Sequence, residues 1–367
     1  MAEPAASAAA PRVGFVGRIP VRNLWLLMLY ASELFQAQGR KLVAEEKDLE
    51  DTPDLVAEIL AHAVEHRLRR SLSLGYQPMA AELGRVRGRI DLLRTERTQS
   101  MRQGRVHCRF EDLTVDTPRN RLARAALASM ARIVGRAKLR HRCARLERAL
   151  AAMGVKSDAS VRRLLALARP GRHEAQDRTM LAAARLAIQL ALPTEETGAS
   201  SLPAPSRDEV WARILFEKAV AGFYAVVLGA PEWRVDAQRT LEWPVESRSA
   251  GIDRLLPAMR ADIVIDDLRA RRRTVVDTKF TTVVTRGWHR EESLKSAHIY
   301  QLYAYLRSQE GGPEALAARA SGLLLYPAVG ADVDERVVIQ GHEIRFATID
   351  LAATAKSIRQ GLLAMVE

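Results

Sequence analysis

The chain has 367 residues, 48% of them hydrophobic, which is enough for two domains that each bury a core. Lysine and arginine number 56 against 44 aspartate and glutamate, and a formal charge of +12 favours partners that carry negative charge, nucleic acid first. Cys108 and Cys143 have no Cys or His at metal spacing, which excludes a disulfide framework and a zinc finger. The apolar run at 24–31 is too short to span a bilayer, so a cytoplasmic protein with no membrane partner is expected.

Residues 1–14 are rich in Ala and Pro without an apolar period and are expected to form a disordered tail. Apolar residues at 19–35 are dense enough for a largely buried helix following Pro20. A second helix is expected at 53–74, where Leu55, Ile59, Ala63, Leu68 and Leu72 mark the period. Between 79 and 116, short segments broken by Gly84, Gly88 and Gly104 predict a small β insert. Arg-rich helical patterns follow at 118–153 and 174–192, and the Pro/Ser/Thr/Gly-rich stretch 193–206 has the composition of a linker.

The remainder predicts an amphipathic helix at 207–228, strands at 239–246, 259–267 and 274–280, and a helix at 292–308. Strands at 322–327, 335–340 and 343–349 and a last helix from Leu351 complete the order. The fold class is α/β, α+β overall: a mixed sheet flanked by helices, preceded by a mostly helical region with its β insert. The division is a first region over 15–195, a linker over 196–206 and a C-terminal domain over 207–367.

The most informative passage is 259–280, where two β-rich runs flank a charged turn and make a hairpin. In its second strand Asp277 and Lys279 project to one face, while Val276, Thr278 and Phe280 face the other. The first strand supplies Asp262. Two neighbouring carboxylates repel unless a cation lies between them, and hard oxygen ligands select Mg²⁺, with Mn²⁺ as a substitute. Such a site can polarise a phosphodiester, with Lys279 stabilising charge on the phosphate, so hydrolytic strand cleavage is the reaction implied. A D-x-K on a strand can equally be a solvated ion pair. What favours chemistry is the order Asp, turn, apolar strand, D-x-K, helix, which resembles the restriction-endonuclease-like PD-(D/E)XK core.

Three further signals surround it. Glu217 is the lone acid on an apolar helical stretch and a candidate third ligand, or simply an exposed acid beside Lys218. Gln301 and Tyr305 stand four apart on one helical face, resembling the Q-x-x-x-Y element of RecB-like nucleases, with core packing the plainer role for Tyr305. The basic run Arg269, Arg271, Arg272 and Arg273 in the hairpin turn is a candidate DNA contact, and Arg85, Arg87 and Arg89 are candidates for docking a protein partner. His62, Glu65 and His66 match an H-x-x-E-H zinc pattern. With no third ligand downstream, the two histidines are expected at the surface.

From about Ile19 the chain resembles the McrC family, the nuclease components of McrBC modification-dependent (5-methylcytosine) restriction systems. The resemblance rests on IPVRNLWLLMLYA at 19–31, GRVRGRID at 84–91, LTVDTPRNRLARAAL at 113–127, the passage 255–280, and IYQLYAYL with SGLLLYP within 299–327. It implies a Mg²⁺-dependent DNA endonuclease subunit with Asp262, Asp277 and Lys279 as catalytic residues. Its first region would dock on a hexameric McrB-like AAA+ GTPase ring and stimulate hydrolysis, the ring recognising modified cytosine in double-stranded DNA. No G-x-x-x-x-G-K-[ST] occurs, so no P-loop of its own is expected. The alternatives are a non-catalytic adaptor of an AAA+ ring and a stand-alone RecB-like exonuclease.

Overall fold

The computed structural model describes residues 15–16, 19–44, 51–157, 160–168, 177–196, 205–229, 231–285, 293–310, 314–328 and 332–366. The chain forms two compact units, one of residues 1–52 with 193–367 and one of residues 53–192. The expected tail at 1–14 and most of the expected linker lie outside the described residues.

In the first unit a short ladder, β1 (Phe15–Val16) with β2 (Ile19–Pro20), leads into α1 (Val21–Tyr30) and α2 (Glu33–Ala44). Pro20 precedes α1, its fixed φ suited to a helix start. Ser32 separates the two helices, accepting from the backbone N–H of Phe35 at 3.1 Å. The single helix expected at 19–35 is thus two.

The second unit begins with α3 (Thr52–Arg70) and the three-stranded antiparallel sheet of β3 (Gly75–Leu83), β4 (Arg89–Ile90) and β5 (Val106–Thr114), with α4 (Leu92–Thr98) between β4 and β5. This is the predicted β insert, starting a few residues early. It continues as α5 (Pro118–Ile133), α6 (Ala137–Ala152), α7 (Val161–Leu167) and α8 (Arg178–Glu196). The break between α5 and α6 is held by Asp54, whose carboxylate accepts from the backbone N–H groups of Gly135 at 2.8 Å and Arg136 at 3.1 Å.

The chain then returns to the first unit with α9 (Pro205–Val227), β6 (Trp233–Leu241), β7 (Met259–Asp267), β8 (Arg272–Thr278), β9 (Val284–Thr285), β10 (Ser293–Leu294) and α10 (Ser296–Ser308). It ends with β11 (Ser321–Pro327), β12 (Asp334–Ile339), β13 (His342–Ile349) and α11 (Ala355–Ala364). Six strands form one mixed sheet in the order β12-β13-β11-β8-β7-β6, with β11 parallel to both β8 and β13 and the remaining pairs antiparallel. On one face Leu302 and Leu306 of α10 pack with Val264, Val275, Leu324, Ile344 and Phe346. Gly322 of β11 makes room for them, since a Cβ there would lie 2.7 Å from the Leu302 side chain. On the other face Phe216 of α9 meets Phe280, ring centroids 5.8 Å apart.

One expected boundary is corrected. The region 15–195 is not one unit, because α1 and α2 pack with the C-terminal elements. Gly222 of α9 comes so close to α1 that a Cβ would lie 2.1 Å from the Tyr30 carbonyl oxygen, and the Tyr30 and Phe223 rings sit 5.1 Å apart. Asn23 donates to the carbonyl oxygens of Leu351 and Ala353 at 2.6 and 3.0 Å. The physical reason is that an apolar helical face declares its need for cover without naming the element that covers it.

Candidate active site

β7 and β8 form the predicted hairpin, with Val264 opposite Val275 and Ile263 opposite Val276. One residue before that last pair, Asp262 is bonded across the hairpin to Thr278, close enough to Asp277 for its charge to act on that carboxyl. Because β8 and β11 are parallel, this is also the carboxyl end of two parallel strands, where open α/β sheets bind ligands.

Asp277 is 1% exposed, and Lys279 Nζ lies 2.5 Å from its Oδ2. Its other oxygen, Oδ1, is buried without a hydrogen-bonding partner. Burial pushes the Asp277 carboxyl up to about 6; Lys279 opposes the rise and Asp262 adds to it. Asp262 is anchored through Oδ2, which accepts from both the backbone N–H and the hydroxyl of Thr278 at 2.8 Å each. Lys279 Nζ also donates to Gln301 Oε1 at 2.9 Å, and Gln301 Nε2 donates to the Tyr305 hydroxyl at 2.6 Å. The four-residue spacing in α10 thus builds a relay that fixes the lysine.

Glu217 of α9 comes near this cluster. Burial raises its pKa first, and the charges of Asp262 and, more weakly, Asp277 add to the effect. Its carboxylate accepts from Gln238 of β6. It does not complete a three-acid ligand set, since among the described residues no three His, Cys, Asp or Glu side chains are grouped to hold a metal ion. Glu217 thus lies within charge reach of both aspartates while its carboxylate is engaged by Gln238.

A family profile described as "McrBC 5-methylcytosine restriction system component" matches residues 9–327. The chain belongs to that family. A relative from Escherichia coli K12, "Type IV methyl-directed restriction enzyme EcoKMcrBC", is 25% identical over 351 residues, covering 94% of this chain and 96% of its own length. Among solved structures, a Thermococcus gammatolerans half-complex of McrB AAA+ hexamers with bound McrC aligns with TM-score 0.42 and 14% identity, covering 86% of this chain and 68% of that one. A second McrBC complex from the same organism aligns with TM-score 0.35 and 14% identity, over 51% and 61%.

In this McrBC-family chain the hairpin arginines divide, and Arg273, expected as a DNA contact, is instead buried. Arg273 is 2% exposed and bound to Asp266 at 2.6 Å and Glu314 at 2.5 Å. Arg272 donates to the Val366 carbonyl oxygen. Arg269 and Arg271 are exposed, but Arg271 lies six residues from Asp277, about 20 Å along an extended strand. The charged run mixes a turn with the start of β8, so the inward positions of the strand take Arg273 into the core. Arg85, Arg87 and Arg89 are all exposed in the second unit, Arg87 paired with Asp112 at 2.7 Å and lying over the Phe110 ring. His62 and His66 are exposed as expected, and Glu65 is engaged by Arg142 at 2.7 Å.

Four residues around the candidate site escaped the sequence reading. Thr278 holds Asp262, and Gln238, opposite Asp262, takes a left-handed φ of 53°. His298 Nδ1 lies 3.1 Å from the hydroxyl of buried Tyr326. Burial, then Lys279 and Lys295, lower the His298 pKa. His298 could have been found, since it precedes Gln301 by three and shares its helical face. Nothing in the sequence marks Gln238.

Proposed function

We propose that this chain is the DNA endonuclease subunit of a McrBC-type restriction complex. In this reading it works in the cytoplasm, docks on an McrB-like AAA+ GTPase ring, stimulates its hydrolysis and cuts double-stranded DNA with Mg²⁺. The observation that carries the proposal is Asp277, a buried carboxylate with one unpartnered oxygen, within charge reach of Asp262 and paired with Lys279. Family membership and the relative's description as a methyl-directed restriction enzyme support the setting.

The donor set fits Mg²⁺. That ion keeps several waters and is commonly bound through one or two carboxylates plus substrate phosphate, so a pair of aspartates suffices. Asp262 and Asp277 would hold it, Asp277 through the unpartnered Oδ1. When bound, Mg²⁺ supplies Lewis-acid stabilisation of charge on the phosphodiester.

The chain's own groups do the rest. Thr278 occupies Oδ2 of Asp262 with two hydrogen bonds, which leaves Oδ1 to face a ligand. Lys279 is held by Asp277 and Gln301 with one ammonium hydrogen to spare, placed to stabilise negative charge as water adds to phosphorus and a P–O ester bond breaks.

The test combines purified chain, an McrB-type partner, GTP, Mg²⁺ and a methylated plasmid. The intact protein should linearise the plasmid, and Asp277→Ala should stimulate GTP hydrolysis without cutting. Cutting by Asp277→Ala at the normal rate would remove the site. End-dependent degradation without partner would assign a RecB-like exonuclease instead.

A further inference from the structure

The positive charge of this chain is not spread evenly. Residues 53–192, the second unit, contain 28 Lys and Arg against 13 Asp and Glu, a net +15, whereas the first unit contains 28 against 31, a net −3. The unit carrying the candidate nuclease site is therefore slightly acidic, and the whole basic excess lies in the other.

Part of that excess is arranged. On α6, Lys138, His141, Arg145 and Arg148 are all exposed at spacings i, i+3, i+7 and i+10, which places them on one face over about 15 Å of helix. On α3, His62, His66 and Arg69 are exposed at i, i+4 and i+7. The two rows adjoin, because Glu65 of α3 binds Arg142 of α6 at 2.7 Å and lies 3.6 Å from Arg145. The acids beside them are already engaged, Glu65 by Arg142 and Glu58 by Arg136 at 3.1 Å. Among the described residues neither Lys138 nor Arg148 is paired with an acid, and Arg148 donates to the Ala144 carbonyl oxygen, 3.3 Å away.

We infer that this α3–α6 face binds the phosphate backbone of duplex DNA, independently of sequence and methylation. The inference deepens the proposed function by assigning DNA retention to the second unit and chemistry to the first. Duplex DNA carries one charge per about 1.7 Å of its axis, so a 15 Å row of cations meets several phosphates at once. Long, flexible side chains suit that role: Lys138 and Arg148 can meet a phosphate without first breaking an ion pair among the described residues, and Arg145 shares Glu65 with Arg142, which holds that acid more closely. A slightly acidic first unit adds no such attraction of its own.

The test measures binding of the full-length chain to a fluorescent unmethylated 30-base-pair duplex by anisotropy, without divalent ions, over a range of NaCl. Because it reads binding and not cutting, an inactive nuclease site leaves it unaffected. The triple substitution Lys138→Gln, Arg145→Gln, Arg148→Gln should reduce the slope of log Kobs against log salt by about 2 to 3 units. The matched change in the first unit, Arg254→Gln, Arg269→Gln, Arg271→Gln, should leave it unchanged. If the triple variant proves unstable, Arg148→Gln alone should lower the slope by about 1. An unaltered slope in the α6 variants overturns the inference, as does an equal loss in the first-unit control. An unaltered slope with lost binding to the AAA+ partner would assign the face to a protein.

Discussion

Lys279 Nζ lies 2.5 Å from Asp277 Oδ2 and 2.9 Å from Gln301 Oε1, so one ammonium joins the end of β8 to the middle of α10. The lysine is set by two anchors on different elements. Lys279→Ala should therefore lower the cleavage rate by about 10²–10³-fold, the usual cost of losing one charge-stabilising donor. Gln301→Ala should cost less, because Asp277 still holds the ammonium. Single-turnover cleavage with saturating partner measures both, and a larger loss for Gln301→Ala would reverse the assigned roles.

Divalent-ion dependence follows from the buried, half-partnered Asp277. Chelation with EDTA should stop cleavage, and added Mg²⁺ or Mn²⁺ should restore it. Calorimetric titration with Mn²⁺ should show binding to the intact chain and none to Asp262→Asn or Asp277→Asn, since each removes one of two charged ligands. Equal binding by all three proteins would place the ion elsewhere.

Gly222 tests the packing of α1 against α9. A Cβ there meets the Tyr30 carbonyl oxygen at 2.1 Å, and neither backbone can yield cheaply. Gly222→Ala should destabilise the first unit by about 1–3 kcal/mol, the range for overpacking a filled core, although alanine alone is the better helix former. Denaturant melts read this directly, and a stabilised variant would contradict the close approach.

The arginines of the hairpin should behave in opposite ways. Arg273→Ala leaves Asp266 buried with Arg234 as its remaining cation and should destabilise by about 3 kcal/mol. Arg271→Ala, at an exposed turn, should be silent in both stability and cleavage. Thermal melts of the two variants separate a core ion pair from a surface charge.

Acid should weaken the second unit. The side-chain bond from Arg121 holds Asp116 below its ordinary 3.8, and that from Arg142 holds Glu65 below its ordinary 4.5. A folded pKa below the unfolded one means that the native state binds its proton later as pH falls. The stabilisation is complete above the ordinary values and is lost as pH falls through the depressed ones. Stability measured by denaturant between pH 6 and 3 should decline toward the acid end, and less so in Arg121→Gln. An identical pH profile for that variant would deny Asp116 the role.

Much of the site was legible because its motif is local. Asp262, Asp277 and Lys279 lie within eighteen residues of one hairpin, and two-residue alternation brings Lys279 to Asp277. Gln301 and Tyr305 were legible for the same reason at helical spacing. The Arg273 error had a local cause too: sequence shows where a charge run lies but not which member of it turns inward to Asp266.

By itself, then, the sequence determined most of the elements, the hairpin and the Asp277–Lys279 pair, because these follow from periodicities of two and 3.6 acting over a few residues. Only the tertiary structure decided that α1 and α2 cover the C-terminal unit, that Thr278 and Gln238 hold the flanking acids, and that α3 and α6 bring part of the second unit's basic excess side by side. Those outcomes depend on which distant surfaces meet. A residue pattern specifies that an apolar face must be covered or a buried charge matched, while the partner is chosen by the shape and charge of everything else the chain brings alongside.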